Sequence, residues 1–138
     1  MDTDDIEFLT FDDVLAVHAE MLNRYGGRDG ILDENIVRSA VDMPQMAAFG
    51  QEMYPGIEGK AGAYLYHFAA AQGFVDGNKR TGVGACVLFL ARNGYMLDCS
   101  NDEIYDVTMR VACRLMDAEG VAAWIRTVIQ PIPDDHNP

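Results

Sequence analysis

The stretch Ala71-Gln72-Gly73-Phe74-Val75-Asp76-Gly77-Asn78-Lys79-Arg80-Thr81 concentrates charge, glycine and amide groups between two long apolar segments. Asp76-Gly77-Asn78 punctuates a helical pattern, which predicts one helix ending near Phe74 and another starting near Asn78. Glycine at 77 admits positive φ, and the N–H groups of a turn entering a helix then converge as an anion-binding nest. Lys79 and Arg80 add full positive charge. Arg80 offers a planar fork for phosphate oxygens and Lys79 a flexible point charge. Asp76 is placed to hold Mg²⁺ against the same phosphates, because such sites combine one or two carboxylates with substrate phosphate.

Composition sharpens this reading. The 138-residue chain carries 22 acidic against 10 basic residues, a formal net charge of −12, and Lys79-Arg80 is its only adjacent basic pair. Two cations side by side in so acidic a chain point to an anionic ligand. The competing reading is an ordinary interhelical turn with Asn78 as N-cap and two solvated bases. Bases in a first turn oppose the helix dipole, which counts mildly against it, and on these residues alone the two readings stand even. The acidity disfavours nonspecific nucleic-acid binding and is also what a salt-adapted host would select. The length suits one domain, 1–138, with a real core. No apolar run approaches the ~20 residues of a membrane span, and the start Met1-Asp2-Thr3-Asp4-Asp5 lacks a basic leader, so a cytoplasmic protein is expected. Cys86, Cys99 and Cys113 are too widely spaced for a metal knuckle and read as reduced thiols.

Outward from the loop, helical signals dominate. Thr10 with Asp13 forms a capping box for a first helix running to about Tyr25, which Gly26-Gly27 stops. His18 on that helix reads as a core or boundary histidine. Asp33 caps a short second helix limited by Pro44. Met43 to Gly56 is irregular and rich in methionine, either a flap for peptide contact or a loop covering a core edge. Glu58 to Phe74 reads as a helix with Ala61, Leu65, Phe68 and Gln72 on one stripe. The helix from Asn78 to Asn93 is apolar nearly all round, hence buried, and its Gly82 and Gly84 imply close approach of a neighbour. Ser100 with Glu103 starts a helix through about Met116, and Val121, Trp124, Ile125 and Val128 mark a last one. The fold class expected is all-α, a bundle with a central buried helix pair and a small β-hairpin in the flap.

Gln72 to Arg80 resembles the active-site motif of the Fic/Doc (Fido) family, His-x-Phe-x-Asp/Glu-Gly/Ala-Asn-Gly/Lys-Arg. Phe74, Asp76, Gly77, Asn78, Lys79 and Arg80 fall on it, and Thr81 matches the Asn-Lys-Arg-Thr form of death-on-curing toxins. Arg24-Tyr25-Gly26-Gly27, Phe89 to Tyr95 and Ala123-Trp124-Ile125 extend the likeness over most of the chain. The resemblance implies a toxin of a toxin–antitoxin system that uses ATP or another nucleoside triphosphate with Mg²⁺. Such a toxin transfers phosphate or AMP to a hydroxyl side chain of a target protein. It further implies that Phe74, Gly77, Asn78, Lys79 and Arg80 bind the nucleotide and that Asp76 holds the metal.

One position departs from the motif. Its first residue, the general base, is His in the family and Gln72 here. A carboxamide orients a hydroxyl but cannot take its proton, so the resemblance implies an inactive or attenuated enzyme. The alternative is a non-catalytic nucleotide- or partner-binding pseudoenzyme on the same scaffold. His67, five residues earlier, lies about 140° round the helix and should face elsewhere. The family's inhibitory Ser/Thr-x-x-x-Glu-Gly/Asn element is absent, with Leu115 at the hydroxyl position before Glu119-Gly120, which implies a separate antitoxin.

Overall fold

A computed structural model of the chain describes residues 5–133. The acidic start Met1–Asp4 and His136 lie outside the described residues.

Helices α1 (Phe11–Tyr25), α2 (Glu34–Asp42), α3 (Gly56–Ala69), α4 (Asn78–Arg92), α5 (Asn101–Ala112) and α6 (Ala118–Val128) form an all-α bundle. Strands β1 (Ala47–Ala48) and β2 (Gln51–Glu52) make the small hairpin expected between Met43 and Gly56. The capping residues do what their spacing predicts: Thr10 with Asp13 and Ser100 with Glu103 form reciprocal boxes, and Asp33 accepts from Asn35 and Ile36 N–H.

The centre of the bundle is α3 rather than α4. From Ile57 to Leu65 almost every α3 residue is buried, whereas α4 leaves Val87 46% exposed, so the expectation that α4 is enclosed on all sides does not hold. Helix α3 can be so enclosed because neighbours come close to its backbone. A Cβ on Gly62 would stand 3.0 Å from Ala122 N of α6, and one on Gly82 of α4 would stand 2.9 Å from Leu65 O of α3. Packing therefore accounts for Gly82, and Gly84 likewise faces Val17 and Met21 of α1. Tyr64, Leu65, Phe68, Phe74, Phe89 and Leu90 fill the space between, and the buried Tyr64 hydroxyl accepts from Leu9 N–H at 2.9 Å. Burial pushes that phenol up to about 12.

Helix ends and one sheet correct the sequence reading. Helix α3 stops at Ala69, not Phe74, and α5 stops at Ala112, not Met116, where Arg114 turns the chain at φ 62°. Strands β3 (Tyr95–Leu97) and β4 (Ile129–Pro131) pair antiparallel after α4 and α6, an element that no local pattern announced.

Candidate functional site

The chain leaves α3 early because residues 28–33, between α1 and α2, capture the backbone that follows. Gly73 O accepts from Leu32 N–H at 2.8 Å and Asp33 N–H at 3.0 Å, and Val75 N–H donates to Gly30 O at 2.9 Å. Ile31 and Phe74 form an isolated antiparallel bridge. These bonds replace the helical ones that residues 73–75 would otherwise make. Gln72 is therefore not on a helical stripe as expected. It lies in the loop, exposed, with its Nε2 3.5 Å from the Val75 carbonyl, the outer edge of hydrogen-bond range.

Asn78 braces the loop from the other side. Its Oδ1 accepts from Phe74 N–H at 2.9 Å and its Nδ2 donates to Phe74 O at 3.0 Å, so the amide closes a ring on one backbone residue. Phe74 is fully buried and stacks face to face on the His18 ring, with centroids 3.8 Å apart and an interplanar angle of 9°. His18 Nε2 lies 2.8 Å from Asp76 O; a carbonyl only accepts, so Nε2 carries the proton. This buried histidine supports the loop from beneath.

Gly77 sits at φ 84°, ψ 15°, the left-handed region, and no side chain caps α4. The helix's own bonding begins with Thr81 N–H to Gly77 O at 2.9 Å, so the N–H groups of Asn78, Lys79 and Arg80 precede it. Thr81 Oγ1, on the same turn, is buried without a hydrogen-bond partner among the described residues. Asp76 Oδ2 accepts from Arg28 N–H at 2.7 Å, a tie that sequence reasoning missed because the two residues are 48 positions apart.

Cations gather here. Of the ten Lys and Arg side chains, Arg24, Arg38, Lys60, Arg92 and Arg110 hold carboxylates. Among those without an acidic partner among the described residues, Arg28, Lys79 and Arg80 flank this loop. The Arg80 guanidinium lies over the Tyr25 ring, 4.2 Å from its centroid. Phe74, Asp76, Gly77, Asn78, Lys79 and Arg80 thus come together as one loop and helix start.

The expected Mg²⁺ site can be weighed on this geometry. No group of three or more His, Cys, Asp or Glu among the described residues could hold a metal by itself. A cation at Asp76 would need waters or phosphate oxygens to complete its shell, as Mg²⁺ sites commonly do.

The other imidazole among the described residues is committed elsewhere. His67 Nε2 shares a 2.7 Å hydrogen bond with Tyr54 Oη, just after the hairpin, and burial lowers its pKa from 6.5. The hairpin is exposed throughout residues 45–53 and so does not cover a core edge; Phe49 stands fully in solvent at its tip with φ 53°. It is held by Lys60, 1% exposed on α3, whose Nζ donates to Glu52 Oε2 at 2.9 Å and Tyr54 O at 2.8 Å. A groove of about 730 Å³ beside the end of α3, lined by Tyr66, Ala70, Arg114 and Leu115 among others, contains none of the loop residues 72–80.

Residues 8–90, which take in α1 through most of α4, match the model of the Fic/DOC family. The chain belongs to the Fic/DOC family. It is 35% identical over 119 residues to Toxin Doc of Mycolicibacterium smegmatis, covering 85% of this chain and 89% of that protein. It is 30% identical over 115 residues to Protein kinase doc of Escherichia phage P1, covering 83% and 90% respectively. The matched residues take in the whole of the α3–α4 loop described above. No helix among the described residues is long and apolar enough to cross a membrane.

Proposed function

We propose that this Fic/DOC protein is a Doc-type toxin of a toxin–antitoxin pair, binding a nucleoside triphosphate at the α3–α4 loop. Its chemistry is transfer of a phosphate-containing group to a hydroxyl side chain of a target protein, slowed here by Gln72. The observation that carries this reading is the start of α4. A left-handed glycine with no capping side chain opens free N–H groups beside Lys79 and Arg80, which have no acidic partner among the described residues, in a chain of net charge −12. The likeness to two Doc proteins over most of the length supports the toxin and its separate antitoxin.

A bound triphosphate supplies the phosphoryl or nucleotidyl group, and Mg²⁺ neutralises part of its charge. The chain's part is positioning. Backbone N–H groups at 78–80 and the Arg80 fork would hold phosphate oxygens, Lys79 would add charge, and Asp76 would hold the cation. Asn78 contributes by locking the loop, since its amide is engaged on both sides by Phe74. In the transfer, the target hydroxyl oxygen forms a bond to phosphorus while the bond to the departing phosphate group breaks, and the hydroxyl proton must leave.

Among the described residues no side chain is placed to take that proton. Gln72 has no titratable group in the useful range, His18 is buried under Phe74, and His67 is bonded to Tyr54. Losing a positioned base removes about 10²- to 10⁴-fold in rate while leaving anion binding intact. The exposed Gln72 also favours the second reading, a pseudoenzyme that binds nucleotide or partner without turnover.

One measurement tests the phosphate role and a second separates the two readings. Calorimetry with ATP or GTP and Mg²⁺ should show binding that Arg80→Ala weakens; equal affinity in both sinks the phosphate role. Gln72→His should raise transfer of labelled nucleotide to the target by about 10²-fold or more. No gain in transfer or cell toxicity would leave the binding module as the function.

A further inference from the structure

Arg80 is the loop's strongest phosphate donor by chemistry, yet a long arginine on an exposed helix face should sample many rotamers, each a loss to be recovered on binding. The structure shows it held. Its guanidinium carbon lies over the Tyr25 ring at 4.2 Å from the centroid, within the range where the ring's negative face attracts a cation. No hydrogen bond or ion pair occupies its N–H groups among the described residues. Tyr25 is the last residue of α1, 55% exposed, so little of its surface contributes to the core. The other arginine on that turn, Arg24, donates through Nε to Glu20 at 2.7 Å and is therefore occupied. A large aromatic ring left in solvent is then accounted for by what lies on it.

We infer that Tyr25 is a positioning residue: its ring presets the Arg80 guanidinium with its N–H donors unspent, ready for phosphate oxygens at the start of α4. This inference rests on the proposed phosphate role of Arg80. The contact acts through the ring face, so the hydroxyl is dispensable and the aromatic character is not. It also joins the end of α1 to the start of α4, 55 positions apart in sequence, so that the first helix takes part in the site.

The test is a double-mutant cycle read by calorimetry with ATP and Mg²⁺, with thermal melts to verify folding. Tyr25→Ala and Tyr25→Leu should each weaken binding about two- to fivefold, the range for an exposed cation–π contact, while Tyr25→Phe and Tyr25→Trp hold affinity. In an Arg80→Ala background, Tyr25→Ala should have no further effect. ¹⁵N relaxation at Arg80 Nε in the free protein supplies a ligand-independent readout, and its order should fall in Tyr25→Ala and recover in Tyr25→Phe. Additive losses in the cycle would show Tyr25 touching ligand by itself and overturn the inference. So would tighter binding in Tyr25→Ala, which would mean the ring draws the guanidinium away from the phosphates. If Arg80→Ala binds as well as the parent, the phosphate reading itself fails and the inference with it. If Arg80→Ala weakens binding and Tyr25→Ala does not, only the inference fails.

Discussion

The α3–α4 loop and the β1–β2 hairpin are both short connections flanking α3, but they are fastened in opposite ways. Residues 72–77 are bonded from three sides: by the 28–33 segment through Arg28, Gly30, Leu32 and Asp33, by His18 of α1, and by the Asn78 amide of α4. The hairpin is held by two cross-strand pairs, the Met53 N–H to Met46 O bond, the buried Lys60 and the Tyr54–His67 bond that follows it. The loop is thus held as one frame by bonds from several elements, and the hairpin by fewer, separable ones. The contrast also separates what can be lost. Cutting one bond should loosen the hairpin by itself, whereas the loop fails as a unit.

The largest effect is expected from breaking the braced side. Asn78→Ala removes two hydrogen bonds and leaves the buried Phe74 backbone without either partner, so stability should fall by about 2–3 kcal/mol in denaturant melts. Anion affinity should fall with it, because the N–H groups lose their common frame. Retained affinity together with unchanged amide protection at Phe74 would show that the loop holds without its brace.

A smaller and local effect is expected on the hairpin. Lys60→Met keeps the stem volume and removes both bonds to Glu52 and Tyr54 O. Glu52 can turn to water, so the global cost should be roughly 1 kcal/mol. Hydrogen exchange should accelerate at Met53, whose N–H donates to Met46 O at 2.9 Å, and remain slow at Val75. Equal acceleration at both would dissolve the distinction between the two connections.

How much of this was readable in advance follows the same division between local and distant causes. Caps at Thr10, Asp33 and Ser100 and the break at Gly77 are written in residues a few positions apart, and periodicity and turn chemistry expose them, whereas the same signals leave the exposure of 45–53 open between a flap and a loop covering a core edge. The end of α3 at Ala69 is not local, since backbone donors and acceptors some 40 positions earlier draw residues 73–75 out of the helix. Strand β3 meets β4 across the length of α5 and α6, with Leu97 opposite Ile129, and three residues carry no alternation worth reading. Lys60, inside an apolar run, and Tyr25, beneath Arg80, carry their roles through partners that only the fold supplies. That the Asn78 amide faces inward to Phe74 likewise lay beyond the motif, because only the fold shows which backbone it meets.

The smallest effect expected is a pH dependence on the tethered side. His67 anchors Tyr54, and burial holds its pKa below the ordinary 6.5, because the charged ring would be poorly solvated there. The unfolded chain therefore binds the proton more readily than the folded one in the interval between the two values. Stability rises with pH wherever the unfolded state carries more protons. The His67 contribution is accordingly full above 6.5 and is lost as pH falls from 6.5 towards the folded value. Melts at pH 7.5 and 5.5, taken with exchange at Met53, should show the hairpin loosening in acid while the same comparison in His67→Gln is flatter. An identical acid response in the parent and in His67→Gln would remove His67 from the account of what holds the hairpin.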